Sequence, residues 1–205
     1  MGAPRETMFG TAGDEALRTR HAIPGVYRVH GHAIVSADDF ITLAGDRVSS
    51  QLYNEADWRH FQAALDVAAV TILDRARHRA HPNYARRNRL IVDPGVDALE
   101  QAGDVWHWNP TAVGLADALR AAAPGGGTVA VPGGQAVYDF FQVLGWHAFD
   151  LARAETVRLT DGTKLFSSLS PDLNADEVLG RGGLLADPAE YIDPAAQVTL
   201  TRWRR

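Results

Sequence analysis

The sequence contains no cysteine. Disulfides, thiolate zinc sites and cysteine nucleophiles are therefore excluded, and a reducing compartment is compatible with the chain. Lysine is nearly absent as well: Lys164 is the single lysine among 20 basic residues, an arginine bias of composition and not of mechanism. Positive charge is not in excess, because 25 acidic residues leave a formal net charge of -5, which argues against a general nucleic-acid binder. No apolar run approaches the roughly 18 residues that cross a bilayer. Residues 1–20 carry scattered charge in place of a signal-peptide core. A soluble, cytoplasmic protein is expected. No Gly-x-Ser-x-Gly elbow is present, so a serine hydrolase has no support.

What is there describes an ordinary folded chain. At 205 residues, with 46% hydrophobic and 22% charged residues, it suits one domain with a real core. Residues 1–23 lack clean periodicity and read as a loosely held leader with a short helix near 14–18; residues 24–205 form the single domain. Alternation over 27–35 predicts a strand, and 42–51 reads as a long loop of the kind that covers sites. Asn54 is placed to cap a helix running to about Leu65, with Trp58, Phe61 and Leu65 on its buried face. The apolar run 67–73 predicts a central strand, 74–81 a short helix ended by Pro82, and 89–92 and 104–108 further strands. A helix is expected over 111–123, strand material over 148–154 and 155–159, loops over 166–195, and a closing strand over 197–203. Strands alternating with helices imply an α/β three-layer sandwich on a mostly parallel central sheet. Trp106, Trp108 and Trp146 are read as core, with a homodimer face as the alternative.

The most informative stretch is Thr128-Val-Ala-Val-Pro-Gly-Gly-Gln-Ala-Val-Tyr-Asp-Phe-Phe141. An apolar run stops at Pro132, Gly133 and Gly134 follow, and Val137, Phe140, Phe141 and Leu144 recur at helical spacing. Strand, glycine turn and helix in that order place unpartnered amides where an anion can be held. A plain corner that needs glycine only for its turn remains the alternative. Among acids, Asp57 stands out: it falls in the first turn of an amphipathic helix directly after the long loop, where shielding by aromatics raises a carboxyl pKa. First-turn acids also occur for capping and dipole reasons alone. Arg75, Arg77, Arg79, Arg86, Arg87 and Arg89 form a basic cluster suited to phosphate or carboxylate, or to a solvated surface. His30, His32, His78 and His81 have tempting spacing, but no carboxylate is matched to His30 and His32, and no metal is expected.

Taken in order, these pieces resemble the dihydrofolate reductase-like superfamily, which includes the reductase domain of bacterial riboflavin biosynthesis. The residues that carry the resemblance are Ala33-Ile-Val-Ser-Ala-Asp38, Glu55-Ala-Asp-Trp-Arg-His-Phe61, Val70-Thr-Ile-Leu-Asp-Arg75 with Arg86-Arg-Asn-Arg-Leu-Ile-Val92, and Val129-Ala-Val-Pro-Gly-Gly-Gln-Ala-Val-Tyr138. The resemblance implies a dihydrofolate reductase-like fold and an NADPH-dependent reductase. Hydride would pass to a pterin or a related pyrimidine heterocycle, a small-molecule substrate. By position it puts Ala33 and Ile34 at the nicotinamide, Asp57 at the substrate-binding acid and Phe61 where an aromatic stacks on substrate. Arg75 matches the arginine of the adenine-side phosphate. Gly133, Gly134, Gln135 and Tyr138 match the glycine turn and the helix beside the cofactor. Arg86 or Arg87 takes the place of the arginine that holds a substrate carboxylate. The family's glycine and threonine around the cofactor arginine are here Asp74 and Arg77, the second offsetting the charge of the first. A scaffold that kept this fold as a non-catalytic nucleotide- or protein-binding module is the alternative class.

Overall fold

Fully buried Val129, Ala130 and Val131 mark the centre of the sheet around which the chain is wound. In this computed structural model, residues 5–43 and 49–205 are described; of the expected loop over 42–51, residues 44–48 lie outside them. The first half of the chain comprises α1 (Arg5–Phe9), α2 (Asp14–Arg20), β1 (Tyr27–Ser36), α3 (Glu55–Asp66), β2 (Val70–Asp74), α4 (Arg75–Ala80) and β3 (Arg89–Val92). After it come β4 (Leu99–Ala102), β5 (Val105–Trp108), α5 (Leu115–Ala122), β6 (Gly127–Gly133), α6 (Gln135–Leu144) and β7 (Ala148–Ala154). The chain closes with α7 (Ala175–Arg181), β8 (Leu185–Ala186), β9 (Glu190–Asp193) and β10 (Val198–Arg204).

The strands form one 10-stranded sheet in the order β4-β5-β3-β2-β6-β1-β7-β10-β8, with β9 paired to β10. The run from β5 through β3, β2, β6 and β1 to β7 is parallel, and the added edge strands are antiparallel. This is the mostly parallel α/β architecture that the sequence implied.

The two faces of the sheet are packed unequally. On one, Phe140 and Phe141 of α6 and Leu115 and Leu119 of α5 lie in one cluster with Val29, Ile72, Val131 and Phe149. Each phenylalanine fully buried there contributes roughly 1.5–3 kcal/mol. Gly31 is required on this face, since a Cβ would stand 2.2 Å from the Phe149 ring. The expectation of a loosely held leader is corrected here: Met8, Phe9 and Leu17 belong to this cluster, and Phe9 stacks on Phe140 at 3.9 Å. Trp108 and Trp146 are core, as read from the sequence.

Three further differences have local causes. No strand forms over 155–159; the segment is instead tied to the exit of β1, with Ala37 N donating to Val157 O and Leu159 N to Asp38 Oδ1. The stretch 166–195 contains α7, held by a reciprocal capping box between Asn174 and Glu177. The helix expected from residue 111 starts at Leu115, because Asn109 first closes a turn by accepting from Thr111 N.

Candidate active site

The other face of the sheet is covered chiefly by α3, which leaves a cleft of about 520 Å³ between helix and sheet. Strand periodicity supplies its floor: His32 and Ile34 of β1, Thr71 and Leu73 of β2, Pro132 of β6 and Asp150 of β7. Asp57, Trp58 and Phe61 of α3 form the opposing wall, and the turn after α4 closes one end with Tyr84 and Arg87.

Asp57 is held where the sequence placed it. The Asn54 side chain accepts from Ala56 N and Asp57 N, fixing the first turn of α3, and its Nδ2 donates to Asp193 Oδ2 at 2.8 Å, tying that turn to β9. Burial raises the Asp57 carboxyl pKa to about 6; the charge of Asp150 adds to the rise and His60 counters it. A carboxyl of that kind can hold and release a proton near neutral pH.

Trp58 departs from the reading as a core residue. It is 39% exposed, 5.9 Å from the Phe61 ring, and lines the cleft. Helical spacing identified the inward face of α3, but that face looks onto a cleft and not onto packed side chains. Phe61 also lines the cleft and sits 6.1 Å from the His32 ring.

The residues expected at a cofactor divide into two groups. Ala33, Ile34, Arg77 and Tyr138 border the cleft. Tyr138 is almost wholly buried and donates to His32 O at 2.6 Å, so its hydroxyl pins the strand that forms the floor. Gly133, Gly134, Gln135 and Arg75 do not border it. Gly133 has φ +117, and a Cβ there would meet the Tyr138 hydroxyl at 2.8 Å. At Gly134 a Cβ would lie 2.0 Å from Asp74 Oδ2, so a carboxylate packs directly on the glycine turn. Asp74 also accepts from Arg77 N and caps α4. Gln135 donates to Lys164 O, and Arg75 pairs with Asp93 at 3.1 Å, an acid that also meets His107 Nδ1 at 2.9 Å.

Of the two arginines proposed for a substrate carboxylate, Arg87 borders the cleft and Arg86 does not. Arg87 is itself engaged by Asp66 at 2.6 Å and Gln62 at 2.8 Å, both on α3. Arg86 has φ +50 in the turn before β3.

The sequence reading missed the polar end of the cleft. Asp150, 5% exposed, pairs in register with His32 across β1 and β7. His60 of α3 reaches Asp150 Oδ2 at 2.8 Å, His30 Nε2 lies 3.2 Å from Oδ1, and Arg204 Nη2 lies 2.8 Å from Oδ1. The statement that no carboxylate matches His30 and His32 is thus corrected by a partner 118 positions from His32 in the chain, Asp150. Burial opposes ionisation of Asp150, but the His30, His60 and Arg204 contacts outweigh it and hold the carboxyl well below its usual range. The hydrogen bond to Asp150 raises the His60 pKa, against its burial. Burial lowers that of His32 to about 3, leaving a neutral imidazole. By contrast, His78 and His81 serve β3: Arg89 meets His78 Nδ1 and donates to His81 O.

No known family profile matches the sequence, and none of the curated proteins is similar to it. Among solved structures it is similar to a putative riboflavin biosynthesis protein from Shewanella sp. PV-4, with TM-score 0.59, 15% identity and coverage of 87% of this chain and 98% of that one. It is also similar to a pyrimidine reductase-like protein from Corynebacterium diphtheriae, with TM-score 0.59, 13% identity and coverage of 98% and 97%. A third is a diaminohydroxyphosphoribosylaminopyrimidine deaminase/5-amino-6-(5-phosphoribosylamino)uracil reductase from Thermotoga maritima. Its TM-score is 0.57 at 13% identity, with 86% of this chain covered and 56% of that one. The chain therefore spans a little over half of that two-activity protein. At these identities the likeness establishes the dihydrofolate reductase-like fold.

Proposed function

We propose that the chain is a nicotinamide-dependent reductase, using NADPH, that acts on a pyrimidine-type heterocycle in the cleft under α3. The observation that carries this reading is the Asp57 carboxyl: it lines a cleft walled by Trp58 and Phe61, and its pKa is raised to about 6. The names borne by the structural neighbours support a pyrimidine of the riboflavin pathway over a pterin, and soluble, cytoplasmic work suits such a substrate. Among the described residues no helix is long and apolar enough to cross a membrane.

Reduction of a C=N or C=O bond needs a hydride on carbon and a proton on the heteroatom. When bound, the reduced nicotinamide supplies the hydride and leaves oxidised. The residues present suit such a group at its reactive end, where Ile34, Leu73 and Pro132 offer apolar surface and Ala33 borders the cleft. Arg77 suits a phosphate, while the Asp74 carboxylate against Gly134 weakens the phosphate end. Asp57 delivers the proton, and Trp58 and Phe61 flank the ring and keep water from it.

The first test is titration with NADPH, followed by tryptophan fluorescence (Trp58 reports from the wall) and by thermal stability. A response at micromolar cofactor supports the reading, and none up to millimolar overturns it. With cofactor bound, Asp57→Asn should lower turnover of 5-amino-6-(5-phosphoribosylamino)uracil about a hundredfold or more. For the unaltered chain, kcat/KM should fall about tenfold per pH unit above the Asp57 pKa of about 6, as the proton donor ionises. A flat profile removes Asp57 from the mechanism. The packing of Asp74 on Gly134 favours a second reading, a non-catalytic binding module, which predicts no response to NADPH.

A further inference from the structure

We propose that His30, His32 and Asp150 form a binding site for one divalent transition-metal ion, with zinc as the type case, at the polar end of the cleft. A strand turns alternate side chains to the same face, so His30 and His32 both leave β1 on the cleft side. The parallel pairing of β1 with β7 sets Asp150 beside them. One donor atom from each, two imidazole nitrogens and a carboxylate oxygen, can be chosen so that all lie within 4.8 Å of one another. Two imidazoles and one carboxylate form a donor set that suits zinc and leaves coordination positions open.

The burial and alignment of these donors bear on the site as well. His30 Nε2 and Asp150 Oδ1 lie 3.2 Å apart without an aligned hydrogen bond between them, and Arg204 Nη2 stands 2.8 Å from the same carboxylate oxygen. Asp150 and His32 are 5% and 4% exposed and the His30 side chain 22%, so two of the three donors lie deep and the third is half-buried. An ion seated between the two imidazoles and the carboxylate would give His30 Nε2 the aligned partner it lacks.

The surrounding charges define the site further. From β10, Arg204 approaches Asp150 Oδ1 at 2.8 Å, and Arg202 pairs with Glu190 at 2.7 Å. From α3, His60 reaches Oδ2 at 2.8 Å, with Asp57 one turn away. Arg204 and His60 thus orient the ligating carboxylate in the way that outer partners orient the ligands of metal sites. Arg204 is also a competing cation, which gives the test its discriminating variant. His32 and Asp150 both border the cleft, so an ion held by them would be reachable from it. A ring nitrogen or carbonyl oxygen of a bound heterocycle can complete the coordination there.

The experiment uses the full chain, stripped with chelator and dialysed against zinc or cobalt(II), with bound metal counted by mass spectrometry and cobalt followed by its visible d–d bands. One ion per chain is expected, with His30→Ala weakening uptake at least about tenfold and Arg204→Gln strengthening it. His30 is less buried than His32, so the folding of that variant is checked by circular dichroism and by its NADPH-independent thermal transition. Failure of the native chain to retain metal, or equal uptake by His30→Ala, overturns the proposal. Equal uptake would move the ion to other side chains. A loss of stability without metal uptake in Arg204→Gln would identify the cluster as an ion-pair network only. None of these readouts requires reductase activity, so the site stands or falls separately from the catalytic reading.

Discussion

At the scale of single residues, Asp57 is expensive for the fold to keep. Its pKa rises from 3.8 to about 6 on folding, so the native chain holds this proton more tightly than the unfolded chain does. The sign follows: stability declines as pH rises from about 4 to about 6 and stays at the lower value above, where the buried group must ionise. Asp57→Asn removes that cost. It should stabilise the protein near pH 7.5 by about 1–2 kcal/mol, less than a shift of this size implies at about 1.4 kcal/mol per unit because Asp57 is only partly buried. Near pH 4 the gain should vanish, as read from urea unfolding at both pH values. A gain that persists in acid would assign the effect to packing. Asp57 was legible in the sequence because Asn54 and Glu55 announce a helix start. Trp58 and Asp150 were not. Spacing reports which side of α3 faces inward but not whether packed side chains or open space meet it, and the register that brings Asp150 to His32 is set by strands far apart in the chain.

At the scale of elements, the turn from β6 into α6 is the informative one. The strand–glycine–helix order was visible in sequence, and so was the substitution of Asp74 for the small residue the resemblance expects. What sequence could not say is that the Asp74 carboxylate would lie on Gly134 itself. Negative charge beside the amino end of α6 suits its dipole and competes with any phosphate brought there. Asp74→Asn keeps an oxygen to accept from Arg77 N and removes the charge. NADPH should then bind about tenfold more tightly, roughly 1.4 kcal/mol, by fluorescence titration. An unchanged Kd would show that no phosphate approaches this turn. α7 teaches the opposite lesson: the Gly, Pro and Asp content of 166–195 reads as loops, whereas the helix there is set by the local pair Asn174 and Glu177, to which composition is blind.

At the scale of the whole molecule, the amino-terminal segment is structural. Its lack of periodicity reflects a short helix that contributes single large side chains, Met8 and Phe9, to a core assembled by other elements. Phe9→Ala should cost about 3 kcal/mol, measured by urea unfolding, because it empties the place stacked on Phe140 at 3.9 Å. A loss below about 0.5 kcal/mol, the size typical of surface changes, would return the segment to the status of a loose leader.

The unequal filling of the two sheet faces has a consequence for how such a protein can change. Cohesion resides with α5 and α6, while the cleft lies under α3 across the same thin layer of backbone. Substitutions on the inner side of α3 can therefore reshape the cleft while the opposite layer goes on holding the chain together. One sheet separates a conservative half from a permissive one, and new specificities can be sampled on the second without dismantling the first.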